Sequence, residues 1–271
     1  ELAEGNIDFR GDIVIHGNVE SGVNIRATGS ITIDGVAEAC MLEAGKDIIL
    51  RGGMLGGNKA SVKTKGAITA KFFEFTNILC EGDLQADVLM DCSVICHGQI
   101  RLTGRKGSII GGKVQAIRGL IATSLGNDAE KRTEIFVGAG IDVYSRLRVM
   151  EKKIETTREE LAKIEEGLEK FEILSKERGV SYTNDPRRTS LLRIKIKDSA
   201  MLASDEEEVR KLRILAESSR GACVSVIQEI YPGVIINMDE LKLALKNMAT
   251  GVEFYKLPDK IGTRPCSAGV E

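Results

Sequence analysis

The residues of this chain that invite a chemical reading fall in three places. Gly107-Ser108-Ile109-Ile110-Gly111-Gly112-Lys113 has the GxxxxGK spacing of a phosphate-binding loop. Such a loop needs Ser or Thr directly after the lysine to hold Mg²⁺, and a helix whose N-terminus faces the phosphates. Val114 follows instead and opens a stretch of strand-like alternation. A glycine-rich corner is the better expectation. Cys92, Cys96 and His97 are metal-ligand types, but Cys96 stands one repeat after Cys80, where two small buried side chains would stack. His97, the next residue, then points the other way. Catalysis on a repeat of this kind would use clustered carboxylates or Arg and Lys on one outer face, but the outward positions Asp8, Arg26, Glu43, Lys63, Leu79, Ile95 and Gln115 mix signs and types. With two histidines and no legible Ser-His-Asp set, no catalytic residue, no cofactor and no metal is expected. The chain is predicted not to be an enzyme.

These residues sit on a repeat. Gly11, Gly29, Lys46, Gly66, Gly82, Gly98 and Arg118 mark successive turns, in steps of 16 to 20 residues. Two positions after each mark stand Ile13, Ile31, Ile48, Ile68, Leu84, Ile100 and Leu120; four after stand Ile15, Ile33, Leu50, Ala70, Ala86, Leu102 and Ala122. Four before stand Ile7, Ile25, Leu42, Val62, Ile78, Val94 and Val114; two before stand Phe9, Ala27, Ala44, Thr64, Cys80, Cys96 and Ala116. Alternation with period two means strands with one buried face. A repeat of this length, stacked on itself, is a parallel β-helix. Seven coils at about 4.8 Å make a rod of about 33 Å. The turn glycines are expected to relieve positive φ. Val19, Ala37, Met54, Val88, Ile110 and Leu125 are the candidates for a third inward side. A left-handed hexapeptide helix would keep strict 18-residue coils, so the variable steps favour a right-handed helix.

After Gly140 the period changes. Val143, Leu147, Met150, Ile154, Thr157, Leu161, Ile164, Leu168 and Phe171 form a heptad seam. Gly179 ends that helix and Thr183-Asn184-Asp185-Pro186 is a loop. A second helix follows, with Leu191, Ile194, Met201, Val209, Leu212 and Ala216 as its apolar positions. Strand patterning returns at Val224, turns at Tyr231-Pro232-Gly233, and reappears at Val252–Tyr255. The fold class is therefore mainly β with α: a parallel β-helix over 1–140, an inserted antiparallel coiled-coil hairpin over 141–221, and C-terminal strands over 222–271 that pack back on the β-helix, with a disordered tail.

Composition agrees with this division. Of 29 glycines, 22 lie in residues 1–140. The charge is near neutral, 38 basic against 40 acidic residues, and aromatics are 4%, which speaks against nucleic-acid binding and base-stacking platforms. No stretch is long and apolar enough for a membrane span. Six cysteines without a CxxC pair read as reduced thiols in a cytoplasmic protein. The chain opens in mid-pattern at Gly5-Asn6-Ile7, as a fragment of a longer protein would.

Gly11-Asp12-Ile13-Val14-Ile15-His16-Gly17-Asn18-Val19, Glu43-Ala44-Gly45-Lys46-Asp47-Ile48-Ile49-Leu50 and Lys106-Gly107-Ser108-Ile109-Ile110-Gly111-Gly112 resemble repeats of the flagellar assembly protein A family. Tyr231-Pro232-Gly233-Val234 after a long hairpin is similar to that family's C-terminal return. The resemblance covers residues 5–256. It implies a bacterial, cytoplasmic, non-catalytic protein tied to flagellar assembly or its regulation, and it carries no catalytic motif.

The expected function is a scaffold or regulatory interaction protein. The alternatives are a carbohydrate-active β-helix enzyme and a bactofilin-like polymer. Protein partners are expected, with a homo-oligomer as a further option. Leu79 and Ile95, apolar at outward positions of adjacent coils, with Phe72 and Phe75 near in sequence, are the candidate interaction surface. The plainer reading is that the hairpin or the C-terminal segment lies over them.

Overall fold

A computed structural model describes residues 5–104 and 106–267. The chain divides into two compact units: the strands up to Gly140 together with those from Ser218 on, and Ile141–Glu217.

The first unit is a parallel β-solenoid. Each long strand pairs with its equivalent one coil on, as Ile25 with Leu42, Leu42 with Val62 and Ile78 with Val94. The short strands do likewise, as Ile31 with Ile48 and Ile48 with Ile68. From the second coil on, all four inward columns are buried. In the first coil Ile7, Ile13 and Ile15 are half-buried and Phe9 is exposed.

The third side differs from the sequence expectation by one residue in two coils. Met54 pairs with Phe73, Phe73 with Leu89, Leu89 with Ile109 and Ile109 with Leu125. Leu89 and Ile109 are fully buried, whereas Val88 and Ile110 are only half-buried. Val88, Leu89 and Met90 are all apolar, so alternation sets no phase there.

The turn glycines also have a different cause from the one expected. Gly11 does adopt positive φ, but Gly29, Gly66, Gly82 and Gly98 do not. A Cβ on Gly29, Gly66 or Gly98 would collide with the carboxylate of Asp12, Asp47 or Asp83 in the preceding coil. Each of those carboxylates accepts a backbone N–H from the next coil, Ser30 at 2.6 Å, Ala67 at 2.7 Å and Gln99 at 2.8 Å. Close approach, not backbone conformation, selects glycine at these corners.

The solenoid continues through an eighth coil that is split in sequence. Thr133–Val137 pairs with Gly112–Ala116, and Cys223–Ile230 pairs with Leu120–Leu125, both parallel. The helices are thus inserted at the corner where coil seven has only Ile117, Arg118 and Gly119. Val234–Met238 adds one more parallel rung. The direction then reverses: Leu241–Ala244 pairs antiparallel with Val234–Met238, Ala249–Lys256 with Cys223–Ile230, and Ile261–Pro265 with Ala249–Lys256. Buried Glu253 accepts from Ser225 Oγ at 2.9 Å and pairs with Arg264. The disordered tail was expected beyond these strands; residues 268–271 lie outside the described residues.

The second unit is two antiparallel helices, α1 (Gly140–Arg178) and α2 (Pro186–Ser218). Asp185 Oδ1 accepts the N–H of Arg187 at 2.8 Å, an N-cap for α2 that follows from its place before Pro186. Ion pairs across the hairpin, Glu165–Lys195 at 2.8 Å and Lys153–Asp205 at 2.7 Å, set the alignment. Met150, Ile154, Val209 and Leu212 are its buried apolar centre. The seam of α1 is the one the spacing predicts. That of α2 is not. Lys195, Asp198 and Leu202 hold the half-buried seam positions, while Ile194 and Met201 are exposed. Neither helix is long and apolar enough to cross a membrane.

Candidate functional site

The outer face of the solenoid's long-strand sheet carries two ladders from coil to coil, one through Asn24, Met41, Ser61, Asn77, Ser93 and Lys113 and one that bears the candidate site. The latter runs Asp8, Arg26, Glu43, Lys63, Leu79, Ile95, Gln115, Phe136, Asn237. The first four alternate in sign. Arg26 Nε donates to Glu43 at 3.1 Å, and Lys63 stands 4.0 Å from the same carboxylate. Opposite charges on adjacent parallel rungs stabilise each other modestly at such an exposed face.

At Leu79 the ladder turns apolar. Leu79 and Ile95 are direct rung neighbours, and Ile95 is 44% exposed. Their inward flankers, Ile78, Cys80, Val94 and Cys96, are buried, so alternation forces Leu79 and Ile95 outward. Phe136 continues the column two rungs on, with Lys113 Nζ 4.6 Å from its ring centroid. Sequence reasoning missed Phe136. The alternation Thr133-Glu134-Ile135-Phe136-Val137 was there to be read, but the second half of that coil lies beyond the helices.

Phe72 and Phe75 are not part of this column. Phe72 is half-buried on the third side, next to Val88, and helps line an open depression of about 380 Å³ with Met90, Lys71 and Lys106. Phe75 stands at the corner between the third side and the long strand. It lines a different depression of about 420 Å³, with Asn58, Asn77, Asp91, Ser93 and Lys113. Phe75 has φ +45°, and its equivalents in the next two coils, Asp91 and Gly111, are also left-handed. Asp and Gly tolerate that region; a bulky aromatic is strained there. Phe73, between the two, is buried in the core. The structure therefore brings Leu79 and Ile95 together and leaves Phe72 and Phe75 in separate places.

The residues that suggested other chemistry are accounted for by packing. Ser108–Ala116 is a strand throughout, with no helix after Lys113. Cys92 and Cys96 both point inward from one strand, four residues and about 13 Å apart, too far to share an ion. Cys96 is the rung neighbour of Cys80, and their sulfurs reach the Gly82 carbonyl at 3.2 and 3.4 Å. Burial pushes the thiols of Cys40 and Cys92 up to about 11. Hydrogen bonding from Cys96 lowers Cys80, and Cys96 is raised in turn by the same contact and by burial. Among the described residues no three His, Cys, Asp or Glu side chains are placed to hold a metal ion.

No curated protein and no solved structure matches the chain. A family profile does: that of the Flagellar Assembly Protein A β-solenoid domain, over residues 1–261. With nearly the whole length matched, and with a solenoid, inserted hairpin and Tyr-Pro-Gly return as observed, this chain belongs to the flagellar assembly protein A family.

Proposed function

We propose that the protein is a non-enzymatic scaffold, acting in the cytoplasm in flagellar assembly or its regulation, that binds a protein partner through the Leu79–Ile95 face. The observation that carries this is the change along one ladder. Four charged rungs give way to two adjacent apolar ones where solvent would favour charge. An outward pair on a rigid sheet, Ile95 exposed and Leu79 half-buried, costs little to present and loses little entropy on docking. Family membership supports the flagellar connection. Phe72 and Phe75 line two separate depressions and are not part of that face.

The test is complementation. In a bacterium lacking the gene, wild-type protein restores flagella, and Leu79→Asp with Ile95→Asp does not, although the purified variant melts within about 0.5 kcal/mol of wild type. Full restoration by that variant removes this face from the function. Depolymerisation of a polysaccharide by the wild-type chain would replace the scaffold reading with the enzymatic one.

A further inference from the structure

The two-helix unit has its fully buried apolar residues in the half nearer its chain ends. There Met150, Ile154, Val209 and Leu212 are buried. In the half nearer the loop, Leu161, Ile164, Leu168 and Phe171 of α1, and Leu191 of α2, stay half-buried, with no fully buried apolar residue among them, whereas half-buried Val143, Leu147 and Leu202 pack against the buried cluster. Gly167 lets the helices approach there, since a Cβ on it would stand 3.3 Å from Leu191 Cδ1. The shortage is thus not one of spacing but of covering surface.

α2 carries a second stripe beside its seam. Arg187, Ser190, Ile194, Lys197 and Met201 are spaced 3, 4, 3, 4, and every one is exposed. Heptad spacing places them on one face. A helix with apolar residues on two faces has more to bury than one neighbour can cover.

Charge is also segregated in this half. Residues 187–197 of α2 hold five cations and no acid. Residues 155–172 of α1 hold seven glutamates against three cations. The two stretches stand level with each other, as the Glu165–Lys195 pair shows. Among the described residues that pair is the one ion pair between the two stretches, and Glu160, Glu166, Arg193 and Lys197 form none.

We infer that two copies of this chain associate through the loop-proximal halves of their hairpins, the Arg187–Met201 stripe of each α2 lying against the α1 of the other. A two-fold axis along the hairpin gives each α1 an α2 on two sides. All adjacent helices are then antiparallel, as in an up-down-up-down bundle. Because the acidic and basic stretches are level, the same axis sets each basic stretch beside the partner's acidic one, twice. That complementarity belongs to the surface itself, which is why the occupant is a second copy and not an unrelated helix.

The experiment measures the mass of the full chain in solution by light scattering and sedimentation over a range of concentrations. Twice 29.4 kDa is expected. Ile194→Glu with Met201→Glu should give the single mass with unchanged helical circular dichroism. Lys197→Glu and Glu160→Lys should each weaken the dimer by roughly tenfold, from two rim pairs per interface, and the chain carrying both should recover it. A wild-type monomer throughout, or a dimer unmoved by the stripe variant, overturns the inference. If the stripe variant loses helicity, the charge exchange decides: recovery supports the interface, and its absence overturns it.

Discussion

Asp83 Oδ1 accepts the backbone N–H of Gln99 at 2.8 Å, across one coil, and the same oxygen occupies the space that a Cβ on Gly98 would need. The two residues are a matched pair: the carboxylate caps an amide at the corner, and glycine makes room for it. Asp12 with Gly29 and Asp47 with Gly66 repeat the arrangement. Asp83→Ala should cost about 1 kcal/mol, the net worth of one hydrogen bond at an exposed corner. Gly98→Ala should cost more, because its Cβ also meets the backbone of Gly82. Urea melts of both variants check the order. Equal losses would mean that the corner yields and the pairing has no consequence.

The third side supplies a test of register. Phe73 is fully buried between Met54 and Leu89. Phe73→Ala should cost about 3–5 kcal/mol. Phe72→Ala, one position away and half-buried, should cost much less. Phe75→Asn should fall within about 1 kcal/mol of wild type, since the lost ring contact is offset by relief of its positive φ. On another inward column, Ile48→Asp places an unpaired carboxylate between Ile31 and Ile68 and should unfold the solenoid. A lower melting temperature for Phe72→Ala than for Phe73→Ala would contradict the observed alternation.

The inward columns on either side of the turn marks were legible because no charged residue enters any of the four in seven coils, even where the outward neighbour is apolar, as at Val14, Ile49, Leu79, Ile95 and Ile121. The phase of the third side was not. Val88-Leu89-Met90 and Ile109-Ile110 offer an apolar residue at either parity, and only pairing with Met54 and Leu125 chooses. Ile194 and Met201 were misplaced on the α2 seam for the same reason: Leu191, Leu192, Ile194, Ile196, Met201 and Leu202 fit several stripes. At the candidate site, Leu79 and Ile95 could be found from strand parity alone. Phe136 could not be aligned with them, since its coil is completed at Cys223. The Asp-to-amide caps were visible as Asp12, Asp47 and Asp83, each directly after a turn mark, but their meaning depends on a contact with the following coil.

The buried thiols predict a pH dependence. Cys40 and Cys92 have an ordinary value near 9 and are raised to about 11 by burial. Below pH 9 the thiols are neutral in both states. From there to about 11 the unfolded chain ionises and the folded one does not, so protons are bound more tightly by the native state and stability falls. Each thiol contributes on the order of 2 kcal/mol to that loss. Replacing both by Ala should flatten the fall between pH 9 and 11 in denaturant titrations. At neutral pH a thiol reagent should label Cys223 and Cys266, which are half-buried, ahead of the four buried cysteines. Rapid labelling of Cys40 without unfolding would contradict the packing.

The insertion point makes the hairpin removable in a defined way. Ala116 is the rung neighbour of Val137, and Leu120 is the rung neighbour of Val224. Coil seven crosses from Ala116 to Leu120 with Ile117, Arg118 and Gly119 alone. Since neighbouring rungs are parallel and in register, the gap from Val137 to Val224 has the same span. Replacing residues 138–223 by a copy of Ile-Arg-Gly should therefore close the eighth coil without strain, and the short connection adds little closure entropy. The product should keep β-rich circular dichroism and melt cooperatively, because α1 and α2 belong to a separate compact unit. It should also run as a monomer if the hairpins join two copies, while retaining any partner held by Leu79 and Ile95. A shortened chain that aggregates would show that the helices protect the solenoid. One that folds, but stays dimeric, would move the contact between copies onto the coils.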